Sequence, residues 1–227
     1  MSYIIEIYED EFMYEYIFFD LDGTLTESGP GIVNSVEYAL KKMGYEVIDR
    51  ALLNRFVGPP LLDSFMRFFN MSREQAEQGI TYYREYFTKK GMFENSVYDG
   101  VKDTLDALKS AGKILAVATS KPEKFAVRII EYFELAHYFD KVCGATLDAS
   151  RITKADVIQY AIESSQLKNE DKSTVLMVGD RKHDILGAKQ HGIASMGVLY
   201  GYGDREELEK AKADYIISVP GEMLNYL

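Results

Sequence analysis

After Gly100 the sequence settles into an alternation of helical segments and short apolar runs that continues to the C-terminus. Val101, Leu105 and Leu108 mark a helix that Gly112 ends, and "KILAVATS" reads as a short buried strand. A helix over residues 123–133 then precedes "KVCGA", one over 154–164 precedes "TVLMVGD", and one over 184–191 precedes "IASMGVL". A last short helix near 205–210 leads to "DYIISV". Strands that are apolar throughout and separated by helices predict a parallel sheet covered on both faces, with right-handed crossovers.

One more strand belongs to that sheet. "YIFF" runs into Asp20, but the next β-α unit begins only at Asp99, much farther than a simple crossover needs. The interval between them reads as helical. Pro30 opens a stripe of Ile32, Val33, Val36, Ala39, Leu40 and Met43 that Gly44 stops. Further helices are expected over 61–69 and 73–90, the latter opened by Ser72 as N-cap with Gln75 three residues on. Tyr82, Tyr83, Tyr86 and Phe87 read as the packing stripe of a small bundle. The expected architecture is an α/β fold, a doubly wound Rossmann-like core of residues 14–27 and 97–227, with an all-helical insertion over 28–96. A chain of 227 residues suffices for one full core and a smaller satellite. Residues 1–13 precede the first strand; "YIIEIYE" reads as an added edge strand, a subunit contact or a start without fixed structure.

Composition excludes several function classes. A formal charge of -10 with no dense Lys/Arg block argues against nucleic acid as a partner. The single cysteine, Cys143, rules out an internal disulfide and a cysteine-based zinc cluster. His137, His183 and His191 lack zinc-ligand spacing. No apolar run approaches the ~20 residues that span a bilayer, and no signal peptide is evident, so no membrane partner and a cytoplasmic location are expected.

Open parallel sheets bind ligands at the carboxyl ends of their strands, so the first polar residues after each apolar run carry the chemistry. "YIFF" ends in Asp20 and Asp22, "ILAVA" in Thr119 and Ser120, and "VLMV" in Gly179 and Asp180, with Asp184 four residues on. Lys154 opens the helix before that last strand. Several acids on one edge repel unless a cation sits among them. Hard oxygen ligands without Cys or His select Mg²⁺, which makes Asp20, Asp22, Asp180 and Asp184 its candidate ligands. Thr119, Ser120, Lys154 and backbone N–H groups near Gly23 can hold phosphate oxygens, giving a phosphoryl-transfer site. Asp20 can attack phosphorus to form an aspartyl phosphate. Asp22 can protonate the leaving oxygen and then deprotonate water.

The ordered segments "FFDLDGTLT", "VATSKP", the lysine of "ITKADVI" and "VGDRKHD" resemble the four motifs of the haloacid dehalogenase superfamily of phosphohydrolases, over essentially the whole chain from Tyr14. The resemblance implies that Asp20 is nucleophile and Mg²⁺ ligand and Asp22 the acid/base. It makes Thr119 and Lys154 the phosphate-holding pair, Asp180 a second Mg²⁺ ligand and Asp184 an outer-shell acid. The acid at position 22, absent from the dehalogenases themselves, favours phosphate chemistry. Residues 28–96 resemble the mobile cap of the phosphoglycolate phosphatase-like branch, and "RFVGPPL" resembles a cap loop lying over the site, with Arg55 a candidate phosphate contact. "VGDRKHDILGAK" and "VLYGYG" are similar to a branch that holds phosphoglycolate phosphatases and 5′-nucleotidases. The expected partner is a small phosphorylated metabolite and the expected state a monomer or homodimer. Three alternatives stay open: a phosphomutase of the β-phosphoglucomutase type, a phosphonatase using Lys41, Lys42, Lys89 or Lys90, and a non-catalytic phospho-signalling protein.

Overall fold

A computed structural model describes residues 14–47, 49–148, 150–165, 167 and 172–226. Residues 1–13, with their expected edge strand, lie outside the described residues. Among the described residues six parallel strands form one sheet: β1 (Tyr16–Phe19), β2 (Ile114–Pro122), β3 (Lys141–Ala145), β4 (Val175–Gly179), β5 (Ala194–Val198) and β6 (Tyr215–Ile217). Their spatial order is β3-β2-β1-β4-β5-β6. The order reverses between β1 and β4, where a ligand crevice opens beyond the carboxyl ends of the strands. Phe19 pairs with Val117 on one side and Val178 on the other, so Asp20 emerges at this reversal.

Side-chain alternation splits the core into two layers. Ile17, Phe19, Leu115, Val117, Leu176 and Val178 face α4 (Val101–Ser110) and α5 (Glu123–Tyr132), through Leu105, Leu108, Phe125 and Ile129. Tyr16, Phe18, Ala116, Ala118 and Met177 face α6 (Lys154–Ser164) and α7 (Lys182–His191), through Val157, Ile158, Ala161 and Ala188. Each fully buried Ile, Leu, Val or Phe contributes about 1.5–3 kcal/mol over leaving it exposed, so the strand that carries Asp20 is held from both faces. A short α8 (Arg205–Lys210) closes on α7 through Leu208 and Ile185.

Between β1 and α4 run α1 (Gly29–Lys42), α2 (Leu61–Phe69) and α3 (Arg73–Phe87), with 3₁₀ turns at Arg50–Phe56 and Gly91–Phe93. Ser72 caps α3 in a reciprocal capping box with Gln75, as the spacing predicts. The chain leaves and re-enters the sheet region side by side: Glu27 N–H donates to the Ser96 carbonyl and Tyr98 N–H to that of Leu25. Val36, Leu40, Phe56, Phe65 and Phe87 of these helices join the same apolar cluster as Phe19 and Val117. The 3₁₀ helix at Arg50–Phe56 departs from the expected loop. With three residues per turn, Leu53 and Phe56 share its buried face, which leaves Arg55 outside. Among the described residues no helix is long and apolar enough to cross a membrane.

Candidate active site

β1 and β4 end side by side, and their first polar residues meet. One carboxylate oxygen from each of Asp20, Asp180 and Asp184 lies within 4.8 Å of the others, with all three residues buried. Asp184 reaches the cluster from the first turn of α7, where its Oδ2 accepts from the Arg181 N–H at 3.0 Å. Asp180 Oδ2 accepts from the Tyr202 N–H at 2.7 Å, while its buried Oδ1 has no hydrogen-bond partner among the described residues. The Lys154 ammonium answers part of this charge, lying 2.8 Å from Asp20 Oδ1, 2.8 Å from Asp184 Oδ1 and 2.9 Å from the Ala118 carbonyl. Burial works against that ammonium, but Asp184 and Asp20 outweigh it and raise its proton affinity above the ordinary lysine value. Burial, then repulsion from Asp184 and Asp20, pushes Asp180 well above the usual carboxylate range. Burial likewise pushes Asp184 up to about 6, against the pull of Lys154.

One lysine among three buried carboxylates leaves an excess of negative charge with an orphaned oxygen. Hard oxygen donors, no thiolate or imidazole, and that excess charge fit a small divalent cation. Asp22 is not in the cluster. Its Oδ2 pairs with Lys121 Nζ at 2.9 Å and its buried Oδ1 has no hydrogen-bond partner among the described residues. The sequence puts Asp22 among the candidate metal ligands; in this structure Lys121, with its ammonium 4.7 Å from the centre of the Phe87 ring, engages its carboxylate.

Glycines make this crowding possible. A Cβ on Gly23, at φ +83°, would lie 2.2 Å from Asp180 Oδ2, and one on Gly179 would lie 2.1 Å from Asp184 Cγ. Gly179→Ala is therefore expected to displace Asp184 and abolish any Mg²⁺-induced rise in Tm, as read by thermal unfolding with and without the ion.

Above the cluster a cleft of about 520 Å³ runs from Asp22, Ser120 and Lys121 to the helices α1–α3. Ile32, Phe56, Ile80, Tyr83, Phe87 and Phe125 supply much of its wall, and Gly58, Pro59 and Pro60 a further stretch. Asp20, Asp180 and Asp184 are not among the lining residues. Thr119 is buried within β2, at the last pair before the strand's register shifts against β3, and its Oγ1 accepts from the Lys121 N–H at 3.3 Å. Arg55 does not reach the cleft; it is exposed, with its guanidinium 5.9 Å from the Phe68 ring. Lys41 and Lys42 pair with Glu37 and Glu85 on the surface, and Lys89 and Lys90 are exposed, so none of the four lines the cleft.

Sequence reasoning gave no role to Lys121 or Arg181. Lys121 had a visible signal, since it directly follows Thr119 and Ser120 at a strand end. Arg181 had none beyond its position after Asp180.

A family model described as haloacid dehalogenase-like hydrolase matches residues 17–198. The chain belongs to that family. This hydrolase is 43% identical over 195 residues to a 5′-nucleotidase of Pseudomonas aeruginosa, covering 86% of this chain and 87% of the relative. It is 40% identical over 202 residues to the tyrosine-protein kinase PtkA of Mycobacterium tuberculosis, covering 89% of this chain and 68% of the kinase. Its fold superposes on the crystal structure of a predicted phosphatase from Clostridium acetobutylicum with a TM-score of 0.88 and 49% identity, covering 94% and 97% of the two chains.

Proposed function

We propose that this hydrolase is a Mg²⁺-dependent phosphomonoesterase for a small metabolite, working through a phosphoryl group carried on Asp20. The observation that supports it is the convergence of Asp20, Asp180, Asp184 and Lys154 at the β1/β4 reversal, next to Asp22 at the floor of a cleft.

Asp20 Oδ1 is held by Lys154 and by the Leu21 N–H at 2.7 Å, which leaves Oδ2 as the attacking atom. As the Oδ2–P bond forms, the bond from phosphorus to the leaving oxygen breaks, and Asp22 supplies the proton that makes the alcohol. Asp22, now a carboxylate, takes a proton from water, whose oxygen attacks phosphorus. The P–Oδ2 bond breaks, releasing inorganic phosphate and restoring both acids. Lys121 holds Asp22 Oδ2 in place and leaves Oδ1 for proton exchange. Thr119 and Lys154 hold the phosphate oxygens. Asp20, Asp180 and Asp184 would hold Mg²⁺, which when bound offsets charge on the transferring phosphoryl group.

Residues 28–96 act as a lid over a core of 14–27 and 97–227, hinged where 25–27 pairs with 96–98. The volume of the cleft and its aromatic walls favour a leaving group with the bulk and apolar face of a nucleoside over glycolate. A phosphate-release screen with Mg²⁺ over nucleoside monophosphates, phosphoglycolate, sugar phosphates and pyridoxal phosphate tests this. Release from a nucleoside monophosphate is expected. Because one relative is named as a tyrosine kinase, a further arm offers ATP and a tyrosine-containing peptide. Phosphotyrosine formation without phosphate release from any ester would contradict the proposal.

A further inference from the structure

The backbone of Arg181 belongs to the acid cluster, through its N–H on Asp184 Oδ2, while its side chain serves another part of the molecule. Nε and Nη2 grip Glu207 of α8 at 2.9 and 3.2 Å, and Nη1 donates to the Val57 carbonyl at 3.1 Å. Both side chains of this pair are only 20% exposed, so it is better shielded than an ordinary surface ion pair. Glu207 also accepts from the Lys182 N–H at 2.8 Å, which fixes the carboxylate and, through the two-pronged grip, the plane of the guanidinium. The one donor aimed at Val57 is thus held in a set direction.

The receiving segment transmits that contact. Gly58 has φ +100°, and a Cβ there would sit 3.3 Å from Arg181 Nη1, so bare backbone gives the guanidinium its approach. Pro59 and Pro60 follow, each with φ fixed by its ring. An anchor at Val57 therefore carries through to Leu61, the first residue of α2. Gly58, Pro59, Pro60 and Leu61 all line the cleft that ends at Asp22 and Lys121.

We propose that Arg181 is a positioning residue that sets leaving-group specificity: it fastens residues 57–60 to the end of β4 and so fixes one wall of the cleft. The inference rests on the phosphomonoesterase reading. A compact substrate such as acetyl phosphate is held at the acids, Thr119 and Lys154 and gains little from that wall. A nucleoside monophosphate needs it.

The test is the ratio of kcat/KM for AMP to that for acetyl phosphate, measured with Mg²⁺ in the full chain and in Arg181→Gln and Arg181→Lys. The ratio does not depend on the fraction of folded enzyme, so simple destabilisation leaves it where it was. It is expected to fall about tenfold or more in Arg181→Gln, the loss typical of a hydrogen bond to a charged group, with most of the change in KM for AMP. Arg181→Lys keeps the charge but not the fork that serves Glu207 and Val57 together, so the ratio falls there too. A ratio within about twofold of wild type in either variant overturns the proposal. A wild-type enzyme that hydrolyses neither compound overturns this inference; one that releases phosphate from no ester of the panel overturns the phosphomonoesterase reading as well.

Discussion

Asp20→Asn is expected to fold and to release phosphate about a thousandfold more slowly, or more, than the wild-type chain. The asparagine amide keeps the size of the side chain and can still present an oxygen to Lys154 and the Leu21 N–H, the two partners of Asp20 Oδ1. What it lacks is the second carboxylate oxygen that attacks phosphorus. Removing one of three clustered negative charges also relieves repulsion, so loss of turnover should come without loss of Tm. Asp22→Asn behaves differently. It lacks the group that protonates the leaving oxygen and activates water, a loss of about 10²–10⁴-fold. With p-nitrophenyl phosphate, whose leaving group needs little protonation, the first step should outlast the second, giving a burst of p-nitrophenol and a stalled phosphoryl-enzyme. A steady-state comparison of the two variants, with thermal unfolding of each, checks the prediction; appreciable turnover by Asp20→Asn would remove it from the nucleophile's role.

The second large effect concerns stability. Asp184, pushed up to about 6, and Asp180, pushed up further, bind protons more tightly in the folded chain than in the unfolded one, where aspartate titrates near ~3.9. A raised folded value means that these groups favour the folded state fully below the unfolded value, and that this contribution is lost as pH rises through about 6 and beyond. The metal-free protein should therefore be less stable at pH 7.5 than at pH 5 on account of these acids. A divalent cation replaces the lost protons as the compensating charge. At a concentration a hundred times its Kd, Mg²⁺ stabilises by about 2.7 kcal/mol, a rise of several degrees in Tm for a chain of this size. The rise should be largest at pH 7.5 and small at pH 5, where protons compete for the same oxygens. Asp180→Asn should raise the metal-free Tm at pH 7.5 and erase the response to Mg²⁺. Equal Mg²⁺ shifts at both pH values, or an undiminished shift in Asp180→Asn, would contradict the metal assignment.

The sheet and most of the acid cluster are legible in the sequence because both depend on local order along the chain. An apolar run that ends in an acid states where a strand stops and what stands at its tip, which places Asp20 and Asp180 without tertiary information. Lys154 is legible in the same way, as the first residue of a helix that packs against the sheet. What escapes is set by contacts between distant segments. "ILAVA" reads as a strand that ends in Thr119 and Ser120, yet β2 runs on to Pro122 and Lys121 pairs with Asp22 beside the Phe87 ring of α3. Arg181 meets Val57 across 124 residues, and no periodicity encodes that meeting. Arg55 is a case of the opposite kind: a loop motif suggests a contact, while in this structure the 3₁₀ turn that buries Leu53 and Phe56 leaves the guanidinium exposed.

The central claim, that phosphoryl transfer passes through Asp20, is tested most directly by mixing the enzyme with ³²P-labelled substrate and Mg²⁺, quenching in acid within milliseconds, and mapping the label. The account predicts a base-labile phosphoryl group on the peptide that contains Asp20, enriched in Asp22→Asn and absent from Asp20→Asn. Rapid release of phosphate with no label on that peptide at any quench time, or label on a different residue, would contradict it.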